Sequence, residues 1–304
     1  MKTVLLFLAL ASAALCGGCG HPSSSQQSSS IVSSQSRKAY DLHGLVVSVD
    51  AANGQVMLTN EDIPGVMEPM TMAYTLANPM EASELRTGDK IRARLRFENS
   101  SAILDQIDVL QQAQLNYKPA EHYHLPQPGD LVPDFLLTNQ SGQHIHLDQY
   151  RGKVLLLTFI YTRCPLSNYC PLMSRNFAAV NTMLAANPAL YAKTHLLTIS
   201  FDPTYDTPAV LRSYGEAYTG HYTQETFAHW EFAAPNPRQL ASLLQWFGVG
   251  VTPGPGKTLA HSLSTAVIGP DGKVLAWYPT NEWTPAQIFQ DVQQALPTAM
   301  RKAK

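Results

Sequence analysis

Between residues 39 and 112, apolar and polar positions alternate with the two-residue period of strands that bury one face. The runs are 44–50, 55–59, 71–76, 90–97 and 102–110, and Lys90-Ile-Arg-Ala-Arg-Leu-Arg-Phe97 alternates most cleanly. Asn53-Gly54 predicts a hairpin turn, and Thr87-Gly88-Asp89 predicts another. Five short strands in so short a stretch predict a small, OB-like β-barrel.

From residue 131 to 300 the pattern changes to strands separated by helical segments. Residues 134–138 and 144–147 flank Ser141-Gly142 as an opening hairpin. The apolar run 153–160 reads as a buried strand, and residues 171–186 carry apolar positions at helical spacing behind Pro171. Strands follow at 195–200, 230–234, 264–268 and 274–277. Helices begin at the pairs Thr207-Pro208, Asn236-Pro237 and Thr284-Pro285, each a cap residue followed by proline. This ββαβαβαββα order is that of an α/β sheet with an antiparallel edge. A cysteine pair at the end of its first long strand points to a thioredoxin-like domain.

Neither end belongs to these two patterns. Residues 1–19 combine Lys2, an apolar run from Val4 to Leu15 and the small residues around Cys16-Gly-Gly-Cys19, which is the build of an export signal. The run is short for a membrane span. It resembles a bacterial lipoprotein signal, in which a cysteine after small residues is lipidated, and Gly17-Gly18 before Cys19 fits better than Ala14-Leu15 before Cys16. Residues 20–38 are rich in serine and glutamine and read as a flexible tether. A proline-rich linker at 113–130 joins the 39–112 barrel to the 131–300 domain. The expected place is the periplasmic side of a bacterial cell envelope, on a lipid anchor. The net charge of −2 without a basic stripe argues against a nucleic-acid partner.

The chemistry concentrates in two places. Cys164 and Cys170, with five residues between them, lie at the junction of the buried strand and its following helix. A helix N-terminus favours thiolates, and a thiolate pair either exchanges with a disulfide or binds a soft metal. The wide gap makes residues 167–169 bulge, because positions six apart on a helix do not share a face. A third ligand would favour the metal, and His261, just before the strand at 264–268, is the candidate. As redox groups, Cys164 and Cys170 would be the catalytic pair of a reductase. A peroxidase reading has only Arg163 beside Cys164 in its favour. The second place is Met67-Glu-Pro-Met70-Thr-Met72. Met70 and Met72 face one side of a strand, and their thioethers are soft ligands for Cu(I).

Residues 43–110, with the Met-Thr-Met pair and the Gly88-Asp89 turn, resemble the CusF-like periplasmic copper-binding domain. The resemblance implies Met70 and Met72 as copper ligands; apart from it, Met67 or His43 could supply a third. Many relatives carry a histidine where this chain has Asn60. Residues 131–298 resemble the Sco/SenC family through residues 158–165, Cys170-Pro-Leu-Met173, residues 200–208 and His261-Ser262. That resemblance implies copper held by Cys164, Cys170 and His261, and help in building the CuA centre of cytochrome c oxidase. The partner would then be the copper-bearing oxidase subunit or another copper protein. The family's usual cysteine spacing has three intervening residues, against five here. Asp202 and Asp206 either orient this site or only cap and turn the chain.

Overall fold

The computed structural model describes residues 38–98, 101–119, 122–254 and 258–296. The expected export signal, the Ser/Gln-rich stretch up to residue 37 and the lipidation candidate Cys19 lie outside the described residues. No helix among the described residues is long and apolar enough to cross a membrane.

The first module is a closed five-stranded barrel made of β1 (Tyr40–Asp50), β2 (Gln55–Asn60), β3 (Met70–Leu76), β4 (Lys90–Glu98) and β5 (Ser101–Gln111). Its order is β1-β2-β3-β5-β4, closed by the β1–β4 pairing. The Asn53-Gly54 turn closes the β1–β2 hairpin, with Gly54 at φ +61°, a value glycine reaches without strain. The second expected hairpin is not formed. The turn at Gly88 exists, but it leads into β4 from a 3-10 turn at Pro79–Ser83, and β4 pairs with β1 and β5 rather than β3. Leu42, Val46, Val56, Leu58, Tyr74 and Leu95 fill the barrel.

β3 is buried on both faces. Met70, Met72 and Tyr74 turn into the barrel cluster, while Ala73 packs outward with Met57 and Leu125 against Trp277. Thr71, also outward, has its carbonyl against Gly250, where an added Cβ would lie 2.2 Å from that oxygen. One strand therefore serves as wall of the barrel and as its joint to the rest of the chain. Both modules lie in one compact unit spanning Lys38–Lys304.

The second module is a seven-stranded sheet. Its strands are β6 (Leu136–Asn139), β7 (His144–His146), β8 (Val154–Ile160), β9 (Thr194–Ser200), β10 (Trp230–Pro235), β13 (Thr265–Ile268) and β14 (Val274–Tyr278), in the order β14-β13-β8-β9-β10-β6-β7. β8, β9 and β10 run parallel in its centre, and every residue of β8 and β9 is buried, as strands covered on both faces require. The helices are α1 (Cys170–Ala185), the single turn α2 (Pro188–Tyr191), α3 (Pro208–Thr219), α4 (Pro237–Trp246) and α5 (Pro285–Ala295). Thr207, Asn236 and Thr284 cap α3, α4 and α5 through their side chains. A separate small ribbon, β11 (Val251–Pro253) with β12 (Leu259–His261), sits between α4 and β13 and was not anticipated.

Candidate metal centre

β8 ends at Ile160 and the chain turns through Tyr161-Thr-Arg to Cys164. Asp206, almost wholly buried, fixes that turn by accepting hydrogen bonds from the Thr162 backbone N–H at 3.0 Å, the Thr162 hydroxyl and the Ser200 hydroxyl. Its role is to shape the turn two residues before Cys164. Asp202 pairs instead with Arg163, whose guanidinium also lies 4.0 Å from the Tyr205 ring centroid. Arg163 is thus engaged away from the thiols, which removes the one feature that favoured a peroxidatic Cys164.

Residues 165–169 loop out, and Cys170 opens α1. His261 ends β12. Its Nδ1–H donates to the Ser262 carbonyl at 2.7 Å, which leaves the lone pair of Nε2 directed at the sulfurs. Nε2 lies 3.5 Å from Cys170 Sγ and 3.9 Å from Cys164 Sγ, and the three ligand atoms all fall within 4.8 Å of one another. Bonds of about 2.3 Å to sulfur and about 2.0 Å to imidazole nitrogen place ligand atoms about 3.5–4 Å apart around one first-row ion. The donor set fits such an ion, and two soft thiolates with one imidazole select copper over hard cations. Rings of Tyr161, Tyr169 and Phe201 surround the imidazole with centroids 5.5, 5.6 and 4.8 Å away. They keep it in place and limit water.

The two cysteines are free and differ in character. Cys164, half-buried, is held down to about 4: the Cys170 thiol donates to it, backbone N–H groups add to the effect, and together they outweigh desolvation. Burial pushes Cys170 well up, and its hydrogen bond to Cys164 adds to the rise. The residue at the helix N-terminus is therefore the thiol, and the loop residue is the thiolate. This reverses the preference read from the helix dipole alone, because Cys170 is fully buried. Alkylation by iodoacetamide is expected to modify Cys164 at nearly the same rate at pH 6 as at pH 8, since its thiolate fraction does not change there. Cys170 should stay unmodified in the folded protein. A Cys164 rate rising about tenfold per pH unit over that range would indicate an ordinary thiol.

In the barrel, Met67, Met70 and Met72 come together, all at least nine-tenths buried, and Met67 Sδ accepts a 3.6 Å hydrogen bond from Tyr74. His43 does not join them. It is on the outer face of β1, in a shallow pocket with Asp41, Arg92 and Asp108, because its Leu42 and Gly44 neighbours take the inward positions. Asn60 donates to the Glu61 and Glu68 carbonyls and accepts from Tyr74 at 3.0 Å. It ties down the loop that carries Met67. Sequence reading missed Tyr169, which packs against both the imidazole and the barrel cluster, and Gly250, whose close contact with Thr71 joins the modules. An apolar side chain stranded in a polar loop was the only available signal for Tyr169.

These features define a thioredoxin-like domain with a Cys-Cys-His group spaced to hold a metal ion, carried beside a thioether-bearing barrel. The chain belongs to the SCO1/SenC family, whose model matches residues 124–297. The model for the copper-binding periplasmic protein CusF matches residues 39–109. An SCO1 protein homologue of Bacillus subtilis is 28% identical over 168 residues, covering 54% of this chain and 82% of its own. An SCO2-like protein of Rickettsia felis is 27% identical over 165 residues, covering 52% and 73%. The solved structure of Bradyrhizobium japonicum ScoI with copper bound is 24% identical and covers 55% of this chain and all of its own, at a TM-score of 0.45. The CusF model describes a copper-binding protein, and copper is bound in the solved ScoI structure.

Proposed function

We propose that this protein is an exported copper metallochaperone of the cell envelope, held to the membrane by a lipid on Cys19. It would hold copper through Cys164, Cys170 and His261 and deliver it to the CuA centre of cytochrome c oxidase. The observation that carries this reading is the convergence of two free sulfurs and a correctly oriented Nε2 within 4.8 Å. A dithiol reductase needs the sulfurs but has no use for an imidazole aimed between them. Delivery would proceed by stepwise exchange of thiolate ligands, so copper need not pass through a free ion.

The test mixes copper-loaded protein with the reduced, copper-free soluble domain of the oxidase subunit and follows the visible bands of the CuA centre. Bands that grow with the wild-type chain and not with His261→Ala support delivery. If no copper moves, while an oxidised acceptor is reduced equally well by wild type and His261→Ala, the chain is a thiol–disulfide reductase serving the oxidase cysteines.

A further inference from the structure

The thioethers of Met67 and Met70 and the imidazole of His261 border one space. A cleft of about 580 Å³ is lined on the barrel side by Met67 and Met70 and on the other by Tyr169 and His261. A smaller neighbour of about 190 Å³ is lined by Met67, Met70 and Met72 together with Tyr169 and Ser262. Tyr169 borders both spaces. Its ring stands edge-on to His261 at 84° and also packs on the barrel cluster. The joint is stiff as well as close. Thr71, between Met70 and Met72, seats its carbonyl on Gly250; the Ser262 N–H donates to the Gly250 carbonyl, the Gly250 N–H donates to the Ser262 hydroxyl, and the Ser262 carbonyl orients His261. Asp62 and Glu68 line the larger cleft and add negative potential for a cation.

We propose that Cu(I) passes within one chain, from Met67, Met70 and Met72 to Cys164, Cys170 and His261, across the cleft lined by Met67, Met70 and His261. This rests on the copper-holding role of the cysteine–histidine set proposed above. Each Cu–Sδ bond that breaks is replaced by a Cu–Sγ or Cu–Nε2 bond. Cys164, Cys170 and His261 supply the incoming lone pairs, and any proton on a ligating sulfur passes to water. Copper enters and leaves the step as Cu(I), so no electron moves. The direction follows from ligand charge, since anionic thiolates hold Cu(I) more tightly than neutral thioethers.

The full-length reduced chain is offered Cu(I) as its bicinchoninate complex, and filling of the cysteine site is followed by thiolate-to-copper absorption. Met67→Leu/Met70→Leu/Met72→Leu conserves side-chain volume, so the barrel should keep its fold; Met70→Leu alone provides a milder variant. The triple variant is expected to fill the cysteine site about tenfold more slowly or worse, with the same end point, and Met70→Leu to fall between. Adding micromolar Cys164→Ser/Cys170→Ser protein, which keeps the methionines, should not restore the rate, because a donor in the same chain acts at an effective concentration of about 1 mM. Equal rates in wild type and triple variant, or rescue in trans, would overturn the transfer while leaving the cysteine site intact. No thiolate absorption in any protein would overturn the cysteine-site reading and this inference with it.

Discussion

Cys170→Ser is expected to lower Cu(I) affinity at the sheet-end site by more than about a hundredfold, beyond what loss of an outer-shell partner costs. The variant exchanges a fully buried soft ligand for a hydroxyl that stays protonated, and it leaves Cys164 and His261 as a two-ligand site. Competition against a chromophoric Cu(I) chelator measures the loss. The pH dependence gives a sharper form of the same result. Cys164 is already a thiolate near neutrality and Cys170 is a thiol, so filling the site releases about one proton and affinity falls about tenfold per unit as pH drops from 8 to 5. Below the Cys164 value of about 4, a second proton competes and the fall steepens. In Cys170→Ser the slope between pH 8 and 5 should flatten, because the proton that had to leave is gone. A wild-type slope of two over that range would mean that a second ligand also carries a proton in the folded chain.

Asp206→Ala is expected to cost about 2–4 kcal/mol of folding stability, read by urea denaturation. The carboxylate has 1% exposure, and its removal strands the Thr162 N–H, the Thr162 hydroxyl and the Ser200 hydroxyl in a space closed to water. Thr162 lies two residues before Cys164, so loosening this turn should also weaken copper binding. Asp206→Asn keeps one acceptor oxygen and should recover part of both losses. A loss of less than about 0.5 kcal/mol in Asp206→Ala, the range of ordinary surface substitutions, would show that the network does not hold the turn.

The elements were legible where one rule governed them. β4 alternates because one face is wet, and α3, α4 and α5 begin where a cap residue meets proline. Period alone does not encode pairing, so the insertion of β5 between β3 and β4 was invisible and the Gly88 turn read as a hairpin. The β11–β12 ribbon escaped because its strands have three residues each, too few to show a period. The sequence named the candidate site residues by type and place. Cys164, Cys170 and His261 do converge, as do Met67, Met70 and Met72. What eluded the sequence was environment. Burial decides which cysteine is the thiolate, strand register turns His43 outward, and the closeness of the two sets depends on the Thr71–Gly250 contact.

The most direct measurement is copper-edge X-ray absorption on the reduced full-length chain carrying one Cu(I) per molecule. Two thiolate sulfurs and one imidazole nitrogen are expected around the copper, with the nitrogen lost in His261→Ala. A spectrum of thioether or oxygen ligands alone, or one unchanged in Cys164→Ser/Cys170→Ser, would contradict a copper site built from Cys164, Cys170 and His261.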